Sequence, residues 1–169
     1  GEATPDGGAT RDRSLTTLAE ALRRENMTIA DTSLLGGEIP VDADALAIIG
    51  PTKPYTEQEV ALLDRYLAGG GRLLVALDPL FDPAGGMQQT RLEPLLQAHG
   101  VEVHDDLVVD PSRKLPFFDL SAVYLEQFTT HPVTQGLEGV AVLFPVTRSV
   151  APTTGEGFTA QRLVETNAE

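Results

Sequence analysis

Three short segments end alike and carry the residues best suited to chemistry. Gly50-Pro51-Thr52-Lys53, Asp78-Pro79 and Asp110-Pro111 each close an apolar run. Ligands of open α/β sheets settle outside the carboxyl ends of strands. Gly50, Pro51, Thr52, Lys53, Asp78 and Asp110 therefore form the candidate binding rim. Lys53, with the amides that open the helix after Thr56, could hold an anion, while Asp78 and Asp110 offer carboxylates. A plainer reading stands beside it: proline halts a strand, aspartate caps a turn and glycine permits a tight bend.

Other reactive side chains are thinly scattered. His99, His104 and His131 lie far apart, and only His104-Asp105-Asp106 resembles a metal-ligating set. Neighbours in a strand point to opposite faces, so that triplet reads as a polar turn and no metal site is expected. His131-Pro132 reads as a turn that opens Val133-Thr134-Gln135-Gly136-Leu137. Asp42 and Asp44 could form a carboxylate couple, but charged loop residues are ordinarily just solvated. No serine sits in a G-x-S-x-G elbow. Gly69-Gly70-Gly71 precedes a strand, whereas a phosphate cradle follows one, so it reads as a helix C-cap. The absence of cysteine removes disulfides, thiolate metal sites and thiol nucleophiles together, and it fits either redox compartment. No catalytic residue and no cofactor emerges, and the expectation is a protein that is not an enzyme.

The elements that would position the rim follow from periodicity. Residues 1–13 read as a flexible loop, and Ser14 as the N-cap of a helix over about 14–25, with Leu15, Leu18, Ala19 and Leu22 on one face. Met27 to Ala30 alternates like a strand. Ala45 to Ile49 is apolar on both faces, which suits a central parallel strand. Thr56-Glu57-Gln58-Glu59 is a capping box, the strongest local signal in the chain, and Val60, Leu63, Tyr66 and Leu67 form the stripe behind it. Leu73 to Leu77 is a second apolar strand, which makes strand, helix, strand a βαβ unit. A short helix around Leu92, Leu95 and Leu96 ends at Gly100. Further strands are expected at 101–109, at Val140 to Phe144 and, as an edge, at Phe158 to Val164. Residues 112–139 form an irregular insert, and 14–169 is one α/β domain.

At 169 residues, with 41% apolar and 5% aromatic side chains, there is enough apolar material for one core. Twelve Lys and Arg against 25 Asp and Glu leave a net charge of −13, so nucleic acids and anionic lipid surfaces are repelled. No run approaches the roughly 20 apolar residues that cross a bilayer. The abrupt start at Gly1-Glu2 fits a piece of a longer, membrane-anchored chain whose anchors lie outside this sequence.

The order of Asp44 to Glu59, Tyr66 to Leu74, Leu77-Asp78-Pro79, Gly100 to Val103, Val108 to Pro111 and His131 to Leu137 resembles a known family over about 14–150. It is the auxiliary, substrate-binding-like component of gliding-motility-type ABC transport systems. The resemblance implies a mainly parallel three-layer α/β/α sandwich, flavodoxin-like or class I glutamine amidotransferase-like. In amidotransferase relatives a Cys nucleophile stands near the position of Leu77-Asp78-Pro79; the Asp here leaves no thiol to carry over. The resemblance further implies a non-catalytic binding or scaffold domain, extracytoplasmic (periplasmic) and membrane-anchored. Its expected partners are ABC transporter membrane subunits or a companion auxiliary protein. It also implies an opening strand, of which Gly1-Glu2 would be the remnant, so a homodimer or strand exchange is expected to fill the gap. Two alternatives remain: a hydrolase using Asp78, Asp110 or His131, and a flavodoxin-like anion or nucleotide binder through Thr52 and Lys53.

Overall fold

A computed structural model describes residues 15–83, 85–111, 120–155 and 157–166. The chain packs as two compact units, one of Gly1–Leu77 with Gln89–Leu92, the other of Asp78–Gln88 with Glu93–Glu169.

In the first unit, α1 (Thr16–Arg24) turns Ala19 inward and leaves Leu18 partly exposed. The expected cap, Ser14, lies outside the described residues, as does the 1–13 loop. At its far end Asn26 takes a left-handed φ of 63°, while Asn26 N–H and Met27 N–H donate to the Arg23 and Leu22 carbonyls, both at 3.1 Å. This is a Schellman closure with asparagine in place of glycine. Residues 27–30 form no strand.

β1 (Leu46–Ile49), α2 (Glu57–Ala68) and β2 (Leu73–Ala76) realise the strand-helix-strand reading. The strands pair in parallel, Leu46 beside Leu73 through Ile49 beside Ala76. Both ends of α2 are closed by its own residues. Thr56 Oγ1 accepts from Glu59 N–H at 3.3 Å, and Glu59 Oε2 accepts from Thr56 N–H at 2.8 Å. Such a cap contributes about 1 kcal/mol. At the C-terminus Gly70 has φ 87°, and Gly71 N–H donates to Tyr66 O at 2.9 Å. The Tyr66 hydroxyl then accepts from Arg72 N–H and donates to Arg72 O, each at 3.3 Å. A Cβ on Gly71 would stand 2.4 Å from the Tyr66 ring, so only glycine lets that ring fold back over the turn.

One face of the parallel pair, with Leu46 and Ile48 buried, points inward, where Leu62, Leu63 and Leu92 are also buried. Full burial of each leucine contributes roughly 2 kcal/mol. The opposite face carries exposed Ala47, Leu74 and Ala76, so the expectation that both faces are covered fails.

In the second unit α3 (Glu93–Ala98) ends at Gly100, φ 95°, and leads directly into β3 (Val101–Val103). β3 pairs antiparallel with β6 (Val150–Pro152), and β4 (Val123–Leu125) antiparallel with β5 (Val142–Phe144). Leu95, Ala122, Val123 and Leu125 supply the core. The Phe158 ring closes on Gly100 and Gly155, where a Cβ would approach it to 2.6 and 2.4 Å. Residues 158–164 form no edge strand; within them only an isolated bridge joins Val164 to Phe128. Leu107 to Val109 is no strand either. β6 and, within the supposed irregular insert, β4 went unforeseen; residues 112–119 lie outside the described part.

The expected fold class, a three-layer sandwich on a mainly parallel sheet, is therefore corrected. Among the described residues the strands form three two-stranded sheets, and only β1–β2 is parallel. Parallel pairing needs a crossover of a dozen or more residues, usually helical. Residues 50–72 supply one. The six-residue α3 connects no parallel pair, and no helix lies between β4 and β5. Apolar runs look alike in parallel and antiparallel settings, so the runs alone misled.

Gly71→Ala is expected to dislodge Tyr66 and lower stability by about 1–3 kcal/mol. Gly69→Ala, at φ −78° with only carbonyl oxygens at 3.4 Å, is expected to be nearly neutral. Paired thermal denaturation checks both.

Candidate functional site

Gly50, Pro51, Thr52 and Lys53 stay together in the first unit as the loop leaving β1. Gly50 takes φ 57°, and its N–H extends the strand pairing by donating to Ala76 O at 2.9 Å. Gly50 and Pro51 are buried, Thr52 is half-buried and Lys53 is exposed. The loop is pinned beyond Lys53, where Tyr55 N–H donates to Thr90 O at 2.9 Å and Arg91 Nη1 donates to Tyr55 O at 3.3 Å. The amides of the following helix start face their own capping box, with Glu57 and Glu59 in the first turn. Those carboxylates already complement the positive end of the helix. Asp78 and Asp110 belong to the second unit: Asp78 O accepts from Leu80 N–H at 3.0 Å, and Asp110 N–H donates to Leu120 O at 3.3 Å.

The densest polar constellation lies elsewhere, at the end of β3 and the start of β6. Arg148 is a buried cation, its side chain only 2% exposed. Its Nε donates to His104 O at 2.8 Å, its Nη2 to Asp105 Oδ1 at 2.5 Å, and its Nη1 lies 3.8 Å from Glu93 Oε1. That Nη1 is buried without a hydrogen-bond partner. A guanidinium out of water requires such carboxylates, because an uncompensated buried charge costs several kcal/mol.

The adjacent Ser149 completes the cluster. Its amide donates to Asp106 Oδ1 at 2.8 Å and its hydroxyl to Asp106 Oδ2 at 2.6 Å. His104 Nδ1 lies 2.7 Å from Ser149 Oγ, and its Nε2 lies 3.8 Å from Glu102 Oε2. The single hydroxyl proton of Ser149 points at Asp106, so His104 Nδ1 must be the donor to Ser149 Oγ. The order is His104 to Ser149 to Asp106, the reverse of a relay in which imidazole takes the serine proton. Desolvation works to raise the Asp106 pKa, but the Ser149 hydroxyl and amide, with His104 and Arg148 nearby, outweigh it and hold the carboxyl below its ordinary value.

His104-Asp105-Asp106 is thus more than a solvated turn, although no group of three metal-ligating side chains forms among the described residues. Arg148, Ser149, Glu93 and Glu102 were missed as its partners. Arg148 stands 43 residues beyond Asp105, so no local spacing betrays the pairing. His131 keeps its structural reading: its Nδ1 accepts from Val133 N–H at 3.1 Å, and buried Thr134 donates to Thr129 O at 2.6 Å.

Fold and polar clusters define a small protein of short helices and two-stranded sheets in which hydrogen-bonded charges tie strand ends together. The family described as an ABC-type uncharacterized transport system matches residues 3–169, and the chain belongs to it; it is an auxiliary component of an ABC transport system. Among solved structures it is similar to the mmIFT52 N-terminal domain, with a TM-score of 0.61 at 19% identity, covering 89% of this chain and 71% of that one. At that identity the likeness shows the fold alone. No curated protein matches the chain.

Because the folded-state pKa of Asp106 is depressed, its stabilising contribution is complete above its unfolded value near 3.8 and is lost as pH falls through the folded value. The melting temperature of Asp106→Asn is therefore expected to lie below that of the wild type at neutral pH, and the two curves to converge as the pH drops below about 4. Arg148→Leu, which removes the buried cation that faces Glu93 and Asp105, is expected to destabilise by roughly 3 kcal/mol in chemical denaturation.

Proposed function

We propose that this chain is a non-catalytic, extracytoplasmic binding or scaffold domain of a gliding-motility-type ABC transport system, in contact with the transporter's membrane subunits or a companion auxiliary protein. The observation that carries this reading is the open face of β1–β2. Parallel strands are normally covered on both faces, yet Leu74 is 59% exposed, and Ala47 and Ala76 beside it are exposed as well. A partner that covers this face would remove apolar area from water at about 25 cal/mol per Å².

The loop Gly50–Lys53 adjoins the same strands. Held at both ends, it presents Lys53 at low entropic cost to an acidic group of the partner. Two features favour binding over the hydrolase and nucleotide readings: the Ser149–His104–Asp106 grouping points its serine proton at a carboxylate, and the α2 amides face their own cap.

The test uses the full-length protein in its native membrane. Leu74→Asp changes an exposed side chain, so the fold is expected to survive while co-purification with the transporter subunits falls at least about tenfold. External protease is expected to digest the domain in spheroplasts. Protection from that protease, or a wild-type protein that recovers no transporter subunit, would remove the proposal.

A further inference from the structure

We infer that the concave surface formed within residues 126–139 of the second unit binds a short neutral oligosaccharide. The depression encloses about 740 Å³, inside the roughly 300–1,000 Å³ of small-ligand sites.

Its walls are held in place before any ligand arrives. On one side Thr129 N–H donates to Leu163 O at 2.9 Å and Thr129 Oγ1 to Arg162 O at 2.6 Å, beside the Phe128–Val164 bridge. On the other, the turn from His131 is knotted by Thr134, whose Oγ1 accepts from His131 N–H at 3.2 Å and donates to Thr129 O at 2.6 Å. Preorganised walls reduce the ordering cost of binding.

The lining selects the ligand chemistry. Gln127, Gln135, Thr130 and Glu138 line it as exposed residues, and Phe128 and Pro132 add apolar surface. His131 Nδ1 accepts from Val133 N–H, so the neutral ring carries its proton on Nε2 as a further donor. Among the described residues no Lys or Arg lines the depression, whereas Glu126 and Glu138 do. Phosphorylated, sulfated or carboxylated ligands would meet like charge at Glu126 and Glu138. A hydrocarbon ligand would strip water from amides and carboxylates and leave them unpaired. Sugar hydroxyls both donate and accept, which matches amide, hydroxyl and carboxylate side chains, and the C–H faces of the ring suit proline and aromatic surface.

The test titrates maltotriose, cellotriose and triacetylchitotriose into the isotopically labelled full chain and follows amide chemical shifts. Saturable shifts confined to 126–139 with at least one trisaccharide are expected. Gln135→Ala and Gln127→Ala, both exposed and with side chains that take no part in the Thr134 hydrogen bonds, are expected to weaken that binding about tenfold each with unchanged melting curves. Three outcomes would overturn the inference: no saturable shift with any of the three sugars, shifts that map elsewhere, or variants that bind as well as the wild type. Tighter binding of trigalacturonate or of a lysine-rich peptide would overturn it as well. None of these outcomes bears on Leu74, so the transporter contact stands or falls separately.

Discussion

A parallel pair of strands exists only if the chain returns to the edge at which it began, and in the first unit a single helix with two firm ends makes that return. The Thr56–Glu59 capping box starts α2 at a defined residue, and Gly70 with Gly71 stops it at another. Tyr66 then grips the backbone of Arg72, one residue before β2, while Arg72 O accepts from Leu46 N–H at 2.9 Å. A slip of one residue at either end would exchange the buried Leu46–Ile48 face for the exposed Ala47 face. The register, the core and the open surface that we assign to partner binding all rest on those two caps.

The second unit solves a different problem. Its strands are three residues long, too short for ladder hydrogen bonds alone to hold them. Charge supplements the ladder. Arg148 ties the segment before β6 to the segment after β3 through His104 and Asp105, and Asp106 holds Ser149 by two donors. Beside this clamp, two glycines admit the Phe158 ring at distances no other residue would allow. A chain with net charge −13 thus places one of its few cations where it neutralises acids that would otherwise repel one another.

These two devices separate stability from recognition. The buried guanidinium and its serine–carboxylate neighbour are engaged with one another, which favours a structural role over a reactive one. The surfaces we assign to recognition are of other kinds: an apolar sheet face in the first unit and, in the second, a polar depression with no Lys or Arg among its described residues. An auxiliary transport component built in this way leaves both surfaces unconsumed by its own folding.

Local features were legible because their causes lie within a few residues of one another. The capping box, the glycine stop, the helix over 57–68 and both strands of the parallel pair follow from adjacent side chains, as does the turn at His131-Pro132. Gly100 likewise stands where a helix end demands positive φ. The direction of pairing in the other sheets was not legible, because burial makes an apolar triplet apolar whether its partner runs parallel or antiparallel. β6 eluded detection for a related reason: Val150-Ala151-Pro152 is a strand only because β3 lies beside it. The clamp was hidden as well, since sequence showed His104-Asp105-Asp106 but not the arginine and serine brought to it from more than forty residues away. Sequence by itself determined the helix ends, the turns and the acidic surface, which depend on short-range sterics, local hydrogen bonds and composition. Tertiary structure alone decided which strands meet, which charges pair and which apolar face stays open, because each of these depends on groups that the chain brings together only by folding.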